Sequence, residues 1–277
     1  MQTNNVLNRK HPTYNEGMWG VFMFTVLQVH PYQKPPLLKR LFYRCPDPVV
    51  TRVPLRGGAF FYKADFFADK HGKTDLSVLP NSVGGCAQRL LWAGAEMQIQ
   101  PPLQKFAPTL YPEILFLNTA LHFLRAQSEP PHTRILGFAD SEARLQERII
   151  PFVRLAKTVK IYTAFPNQYD ALSKDILAEW GLSVIVSSRK EVLQDCNVVL
   201  APSSETCLGT RGVLCCGREP ICYAGEQFSL PQEEDARRPE NTDAMLFAAA
   251  LYELCNVKGL ENLRYARLKP IKSETIY

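Results

Sequence analysis

Short apolar segments alternate with amphipathic segments through the second half of the chain. Four of the apolar runs are five or six residues long and rich in Val, Ile and Leu. They cover residues 134–138, 159–163, 182–187 and 197–201. Strands separated by helices pair most simply side by side and in the same direction, with helices on both faces of the sheet. The alternation therefore predicts an α/β fold with a Rossmann-like parallel sheet in the C-terminal half, over residues 133–277.

The segments between these strands have helical spacing. Residues 141–157 and 169–180 place apolar side chains three and four positions apart. Apolar runs at 213–216 and 220–223 predict two further strands, and residues 243–255 predict a last helix.

The first half of the chain predicts a smaller α/β domain over residues 18–108. Residues 1–17 are polar, and we expect them to form a loose arm. Residues 109–132 are expected to connect the two domains through an amphipathic helix, which starts at Tyr111, and a proline-rich break.

Within the smaller domain, residues 75–98 predict a strand, a tight glycine loop and a helix. Ser82, Gly84 and Gly85 lie in the loop. In such a loop, backbone N–H groups at the helix N-terminus can bind an anion. The alternative is an ordinary turn in which Ser82 caps the helix.

Composition excludes several classes of protein. Of the 277 residues, 46% are hydrophobic and 21% are charged, which is a globular balance. The net charge of +5 is spread along the chain, so we expect no nucleic-acid partner. No apolar run reaches the length of about 18 residues that a membrane helix needs. We therefore expect a cytoplasmic protein with reduced thiols and no membrane partner.

Four of the eight cysteines cluster in sequence, at Cys207, Cys215, Cys216 and Cys222. One interpretation is a metal or iron–sulfur site, but such sites usually contain C-x2-C pairs, and this cluster has none. The other interpretation is a set of small apolar side chains in buried strands. We therefore expect no metal.

A ligand site is predicted where the parallel strands end. In open parallel sheets, ligands bind beyond the carboxyl ends of the strands. Hydroxyl groups and an arginine in these positions suit an anionic small molecule. The predicted cofactor-binding residues are Gly137, Phe138, Ala139, Asp140, Ser141, Thr163, Ser187, Ser188, Arg189, Pro202, Ser203 and Ser204.

NAD(P) is the cofactor to test against this pattern. A dinucleotide fingerprint, G-x-G-x-x-G, would start at Gly137, and only that glycine is present. Asp140 would put a carboxylate beside the pyrophosphate, or it would act as the N-cap of the next helix. The second strand ends at Thr163 and not near an acidic residue that could bind ribose hydroxyls.

The chain resembles shikimate dehydrogenase and glutamyl-tRNA reductase in layout. The likeness covers residues 75–205: the helix from Tyr111 looks like their linker helix, and 197–204 (NVVLAPSS) is similar to their fourth nucleotide-domain strand. The resemblance implies a catalytic domain before a nucleotide domain, with NAD(P) in the cleft between them. By its early position, Cys45 or Cys86 would correspond to the reductase nucleophile.

Three hypotheses of function follow. The first is an NAD(P)-linked oxidoreductase, and the second is a protein that binds a nucleotide or another anionic ligand in the cleft. The third is a non-enzymatic regulatory or interaction protein with a degenerate dinucleotide site. No catalytic residue is assigned: His71 and His122 are candidate proton donors, with a solvated surface role as the alternative. A homo-oligomer is compatible with all three.

Overall fold

The computed structural model describes residues 23–32, 34, 45–93, 99–205, 211–216 and 221–271. These residues form a mixed α/β structure with two sheets, each containing parallel and antiparallel strands, and six α-helices. None of the helices in the described ranges is long and apolar enough to cross a membrane.

The smaller sheet has four strands in the spatial order β2-β3-β1-β4. Strand β1 is parallel to both β3 and β4, whereas β2 is antiparallel to β3. The strands are β1 Thr25–His30, β2 Val49–Pro54, β3 Phe60–Phe67 and β4 Leu90–Ala93.

The predicted order of strand, loop and helix is wrong for residues 75–93, and residues 94–98 of the predicted helix lie outside the described residues. The structure has a short helix, α1 Leu79–Val83, then a 3-10 turn at Gly84–Gln88, then strand β4. Leu90 and Leu91 are both buried, on opposite faces of the sheet. A strand buried on both faces gives a continuous apolar run, which periodicity alone does not distinguish from a helix.

The larger sheet has seven strands in the order β11-β10-β9-β8-β5-β6-β7. The predicted parallel pairing is confirmed for β5 to β8, and the remaining neighbours are antiparallel. The strands are β5 Ile135–Ala139, β6 Thr158–Tyr162, β7 Val184–Ser187, β8 Val198–Glu205, β9 Arg211–Cys216, β10 Ile221–Glu226 and β11 Arg267–Ile271. The more specific expectation of a Rossmann arrangement stays a prediction.

Three helices cover one face of this sheet. Side chains of Phe116, Ile149 and Ile176 join one apolar cluster with Leu136 and Val159 of the strands. On the opposite face lies a 3-10 turn at Lys190–Leu193. The helices of the chain after α1 are α2 Tyr111–Ala126, α3 Gln146–Val153, α4 Asp170–Trp180, α5 Gln232–Asp235 and α6 Ala244–Glu253.

Helix α2 connects the two sheets. Its Tyr111 and Leu115 belong to an apolar cluster with Phe61 of the smaller sheet and Phe247 of α6, while Phe116 belongs to the cluster of the larger sheet. Helix α6 therefore packs back against the first half of the chain. The domain boundaries stay a prediction.

Candidate functional site

The carboxyl ends of β5, β6 and β7 meet at one edge of the larger sheet. In the parallel register, Ala139 pairs with Tyr162, and Tyr162 pairs with Ser187. Asp140, Thr163 and Ser188, which follow these residues, therefore lie at the same edge. The structure brings together the predicted site residues that follow β5, β6 and β7.

Pro202, Ser203 and Ser204 follow Leu200, the parallel partner of Phe138, but they lie in a strand and not in a loop. Pro202, Ser203 and Ser204 are part of β8, which continues to Glu205 and pairs in antiparallel fashion with β9. Their predicted position in a loop is wrong because the antiparallel partner extends the strand past its last parallel pair, Phe138 with Leu200.

Gly137 and Phe138 lie inside β5 rather than at its end. A Cβ atom on Gly137 would lie 2.9 Å from Cys196 Sγ and 2.9 Å from Leu193 Cδ2, so close packing against the 3-10 turn explains this glycine. Phe138 is fully buried, and its ring meets that of Phe152 edge to face. Both residues have structural reasons for their identity.

Asp140 is the central residue of the edge, and its side chain is only 1% exposed. Its Oδ1 accepts a hydrogen bond from the backbone N–H of Arg144 at 3.0 Å, and Oδ2 accepts one from Leu145 N–H at 2.8 Å. The hydroxyl of Tyr169 also donates to Oδ2. Because Leu145 is the residue before α3, the carboxylate lies where the helix N-terminus presents its N–H groups.

The predicted helix over residues 141–157 is therefore shorter at its start. The five residues after Asp140 form a turn around its carboxylate, in which Ala143 has a left-handed φ of 56° and donates its N–H to the Asp140 carbonyl at 3.1 Å. Asp140 satisfies helix-terminal donors as a cap does, although α3 begins only at Gln146.

Tyr169 keeps the Asp140 carboxylate hydrogen-bonded on its buried side. The ring is fully buried. Burial first, and then the hydrogen bond to Asp140, raise the pKa of the Tyr169 hydroxyl far above its usual range. The hydroxyl therefore remains a proton donor to the carboxylate at neutral pH.

An ion pair ties the same turn to α2. One guanidinium nitrogen of Arg144 lies 3.2 Å from Oε1 of Glu113, whose side chain is 2% exposed, and another lies 3.0 Å from Oε2 of Glu142. Arg144, the cation nearest to Asp140 in sequence, thus forms ion pairs with two other carboxylates.

The hydroxyl groups of the edge cap local turns. Thr163 is fully buried and its Oγ1 accepts from Phe165 N–H at 3.2 Å. Ser187 Oγ accepts from Arg189 N–H at 3.0 Å. The carbonyl of Ser141 accepts from Ala164 N–H at 3.1 Å, which ties the first two loops together. The side chains of Ser188 and Arg189 are exposed.

The described residues do not form the strand, glycine loop and helix on which the predicted anion loop depended. Ser82 lies inside α1 and donates its hydroxyl to the Val78 carbonyl at 3.0 Å, so it does not cap a following helix. Gly84 follows this five-residue helix with a φ of 56° and starts the 3-10 turn, in which the exposed Gly85 is the second residue. The predicted α-helix does not follow these glycines, because the chain continues through the 3-10 turn into β4.

The cysteine cluster forms a buried thiol pair. Cys215 on β9 and Cys222 on β10 lie directly opposite each other, with their sulfur atoms 3.3 Å apart. Burial, and next the neighbouring Cys222, raise the pKa of Cys215 to about 12. Cys207 lies outside the described residues. Within the described part of the chain, no group of three side chains could hold a metal ion.

One polar cluster was not foreseen. His30 ends β1, and its Nε2 lies 2.9 Å from Oδ1 of Asp65 on the neighbouring β3. Nζ of Lys63 lies 3.2 Å from the other carboxylate oxygen, and the His30 ring stacks on Phe67 at a centroid distance of 5.0 Å. The only signal was a histidine directly after an apolar run. Of the earlier candidates, His71, His122 and Cys45 are exposed, and Cys86 is buried.

Comparisons with protein families, with curated proteins and with solved structures find no match for this chain.

Proposed function

We propose that this chain is a Rossmann-like protein whose dinucleotide site is filled by its own side chain, and that it acts as a non-enzymatic interaction or regulatory protein. The observation that carries the proposal is the buried carboxylate of Asp140. It occupies the N–H groups of Arg144 and Leu145 before α3, where a phosphate would otherwise bind.

The order of the parallel strands supports this assignment. Numbered along the chain, β5 to β8 lie in the order 3-2-1-4, which is the order of the first four strands of the doubly wound dinucleotide-binding fold. In that fold, ligands bind where the strand order reverses. Here the reversal lies beside β5, and Asp140 follows β5 directly.

Electrostatics oppose a phosphate at the same place. Two unit charges 4 Å apart repel by about 4 kcal/mol at an effective dielectric constant of about 20. A pyrophosphate beside Asp140 would meet this repulsion without the N–H donors that normally offset it. The self-filled site therefore favours a protein that has lost dinucleotide binding.

A second candidate function is binding of a nucleotide or another anionic ligand in the cleft, as an NAD(P)-linked oxidoreductase would need. The exposed Ser188 and Arg189 at the same edge favour it, because a guanidinium and a hydroxyl group suit an anion. Such a ligand would have to approach from the β7 side and avoid Asp140.

Thermal unfolding in the presence of NAD(H), NADP(H), ATP or S-adenosylmethionine distinguishes the two. We expect no change of the midpoint. A ligand at about 100 times its Kd would raise the midpoint by about 5 to 10 °C. A rise with a dinucleotide would contradict the proposal. If Ala139→Asp then abolished that rise, the binding site would be at the end of β5 and the loop that follows it.

A further inference from the structure

A groove of about 810 Å³ runs between helices α3 and α4. This volume lies within the range of about 300 to 1,000 Å³ that is usual for ligand pockets. On α3 the lining positions are 146, 147, 150 and 151, and on α4 they are 171, 172, 175, 178, 179 and 180. These spacings put each set on one helix face, so both helices turn a continuous face towards the groove.

The groove has an apolar floor. Ile150, Leu172 and Trp180 line it and are only partly buried, while Ala171 and Ala178 are exposed. Ile176 is the one α4 residue that is fully buried in the sheet-facing cluster. Leu172 and Trp180 also contact this cluster, so only part of each side chain is exposed to the groove.

The rim of the groove is acidic. Glu147, Asp175 and Glu179 line it, and no lysine or arginine is among its described lining residues. The chain as a whole carries a net charge of +5, so this negative patch opposes the overall sign. Glu147 on α3 and Glu179 on α4 are both exposed, so a cationic partner can approach either carboxylate.

We propose that this groove binds one basic amphipathic helix of a partner protein. The apolar stripe of that helix would lie on Ile150, Leu172 and Trp180, and its lysines or arginines would pair with the acidic rim. A third helix fits naturally between two neighbouring helices, since its side-chain ridges enter their grooves and it presents an apolar stripe at helical spacing. This inference rests on the proposed interaction function and names its partner class.

The test is binding of a synthetic Leu/Lys amphipathic peptide of about 18 residues, which spans five helical turns. Fluorescence anisotropy of the labelled peptide is measured against the full chain, with a Leu/Glu peptide of the same pattern as control. We expect saturable binding of the basic peptide only. The affinity should fall by about tenfold from low salt to about 0.5 M salt, because the rim is exposed to screening.

Variants locate the site. Glu147→Gln combined with Glu179→Gln should weaken binding by about tenfold, which is about threefold for each exposed ion pair. Ala178→Arg, at an exposed lining position, should abolish binding by filling the groove with a cation. Glu191→Gln, an exposed residue of the Lys190–Leu193 turn outside the groove, is the matched control and should leave the affinity unchanged.

Three outcomes would overturn the inference. The first is equal binding of both peptides, and the second is an affinity that the double variant leaves unchanged. The third is a groove occupied by this chain itself. Sedimentation would reveal a second copy as occupant if it showed a dimer that Ala178→Arg dissociates. Zero-length cross-links from Lys10 to the acidic rim would reveal the N-terminal residues as occupant. A thermal shift with a dinucleotide would instead contradict the proposed function, so the two failures are distinguishable.

Discussion

The carboxylate of Asp140 accepts three hydrogen bonds inside the protein, from Arg144 N–H, Leu145 N–H and the Tyr169 hydroxyl. Asp140→Ala would leave all three donors without an acceptor in a buried position. We expect the free energy of unfolding to fall by about 3 kcal/mol, as measured by denaturant titration. Asp140→Asn retains one accepting oxygen and should cost about 1 to 2 kcal/mol. A loss below about 1 kcal/mol for Asp140→Ala would mean that water reaches the donors.

Tyr169 is one of the buried tyrosines that make the stability of the protein sensitive to alkaline pH. Its pKa is raised in the folded state, so above about pH 10 the unfolded chain releases a proton that the folded chain keeps. The folded state then binds more protons, and stability falls as pH rises, by up to about 1.4 kcal/mol per pH unit for one group. Below about pH 10 this contribution is constant.

Tyr169→Phe should flatten that fall. We expect the unfolding free energy of the variant, measured from about pH 9 to about pH 11, to decrease less steeply than that of the wild type by about 0.7 kcal/mol per pH unit. Tyr223→Phe, which removes the hydroxyl of a partly exposed tyrosine, is the matched control for the substitution itself. If Tyr169→Phe left the slope unchanged, the Tyr169 hydroxyl would ionise as easily in the folded state as in the unfolded state.

Among the secondary-structure elements, the parallel strands could be predicted because their signal is local. Short apolar runs separated by helical spacing recur four times, and β5 to β8 have the expected direction. The start of α3 could not be predicted, because the turn after Asp140 depends on the hydroxyl of Tyr169, which is 29 positions away. Periodicity carries no information about such a contact.

The remaining differences between prediction and structure also arise from tertiary contacts, which the local sequence pattern does not show. Strand β4 looked like part of a helix because both of its faces are buried. The pairing of His30 with Asp65 joins residues 35 positions apart on neighbouring parallel strands, and that pairing became visible only with the register of β1 and β3. At the candidate site, the sequence predicted the residues that follow β5, β6 and β7, which share one edge of the sheet, and Asp140 as an unfavourable neighbour for phosphate. It could not show that the donors at that edge are already satisfied.

For the molecule as a whole, the decisive contact joins the end of α6 to the start of α2. The Glu253 carboxylate accepts hydrogen bonds from Thr109 N–H at 3.2 Å, Leu110 N–H at 3.0 Å and Tyr111 N–H at 2.7 Å. A negative charge at this position also complements the positive end of the helix dipole. Since α2 belongs to the apolar clusters of both sheets, this cap stabilises the element that links them.

Glu253→Gln should therefore destabilise both sheets together, by about 1 to 2 kcal/mol. Two tryptophans report on the two parts, Trp92 on β4 of the smaller sheet and Trp180 on α4 beside the larger sheet. In a Trp19→Phe background, fluorescence from chains that keep only Trp92 or only Trp180 should give one common denaturation midpoint, and Glu253→Gln should lower it equally in both. The exposed Glu240→Gln is the matched control. If only the Trp92 signal moved to lower denaturant, the two sheets would unfold independently, and α2 would not couple them.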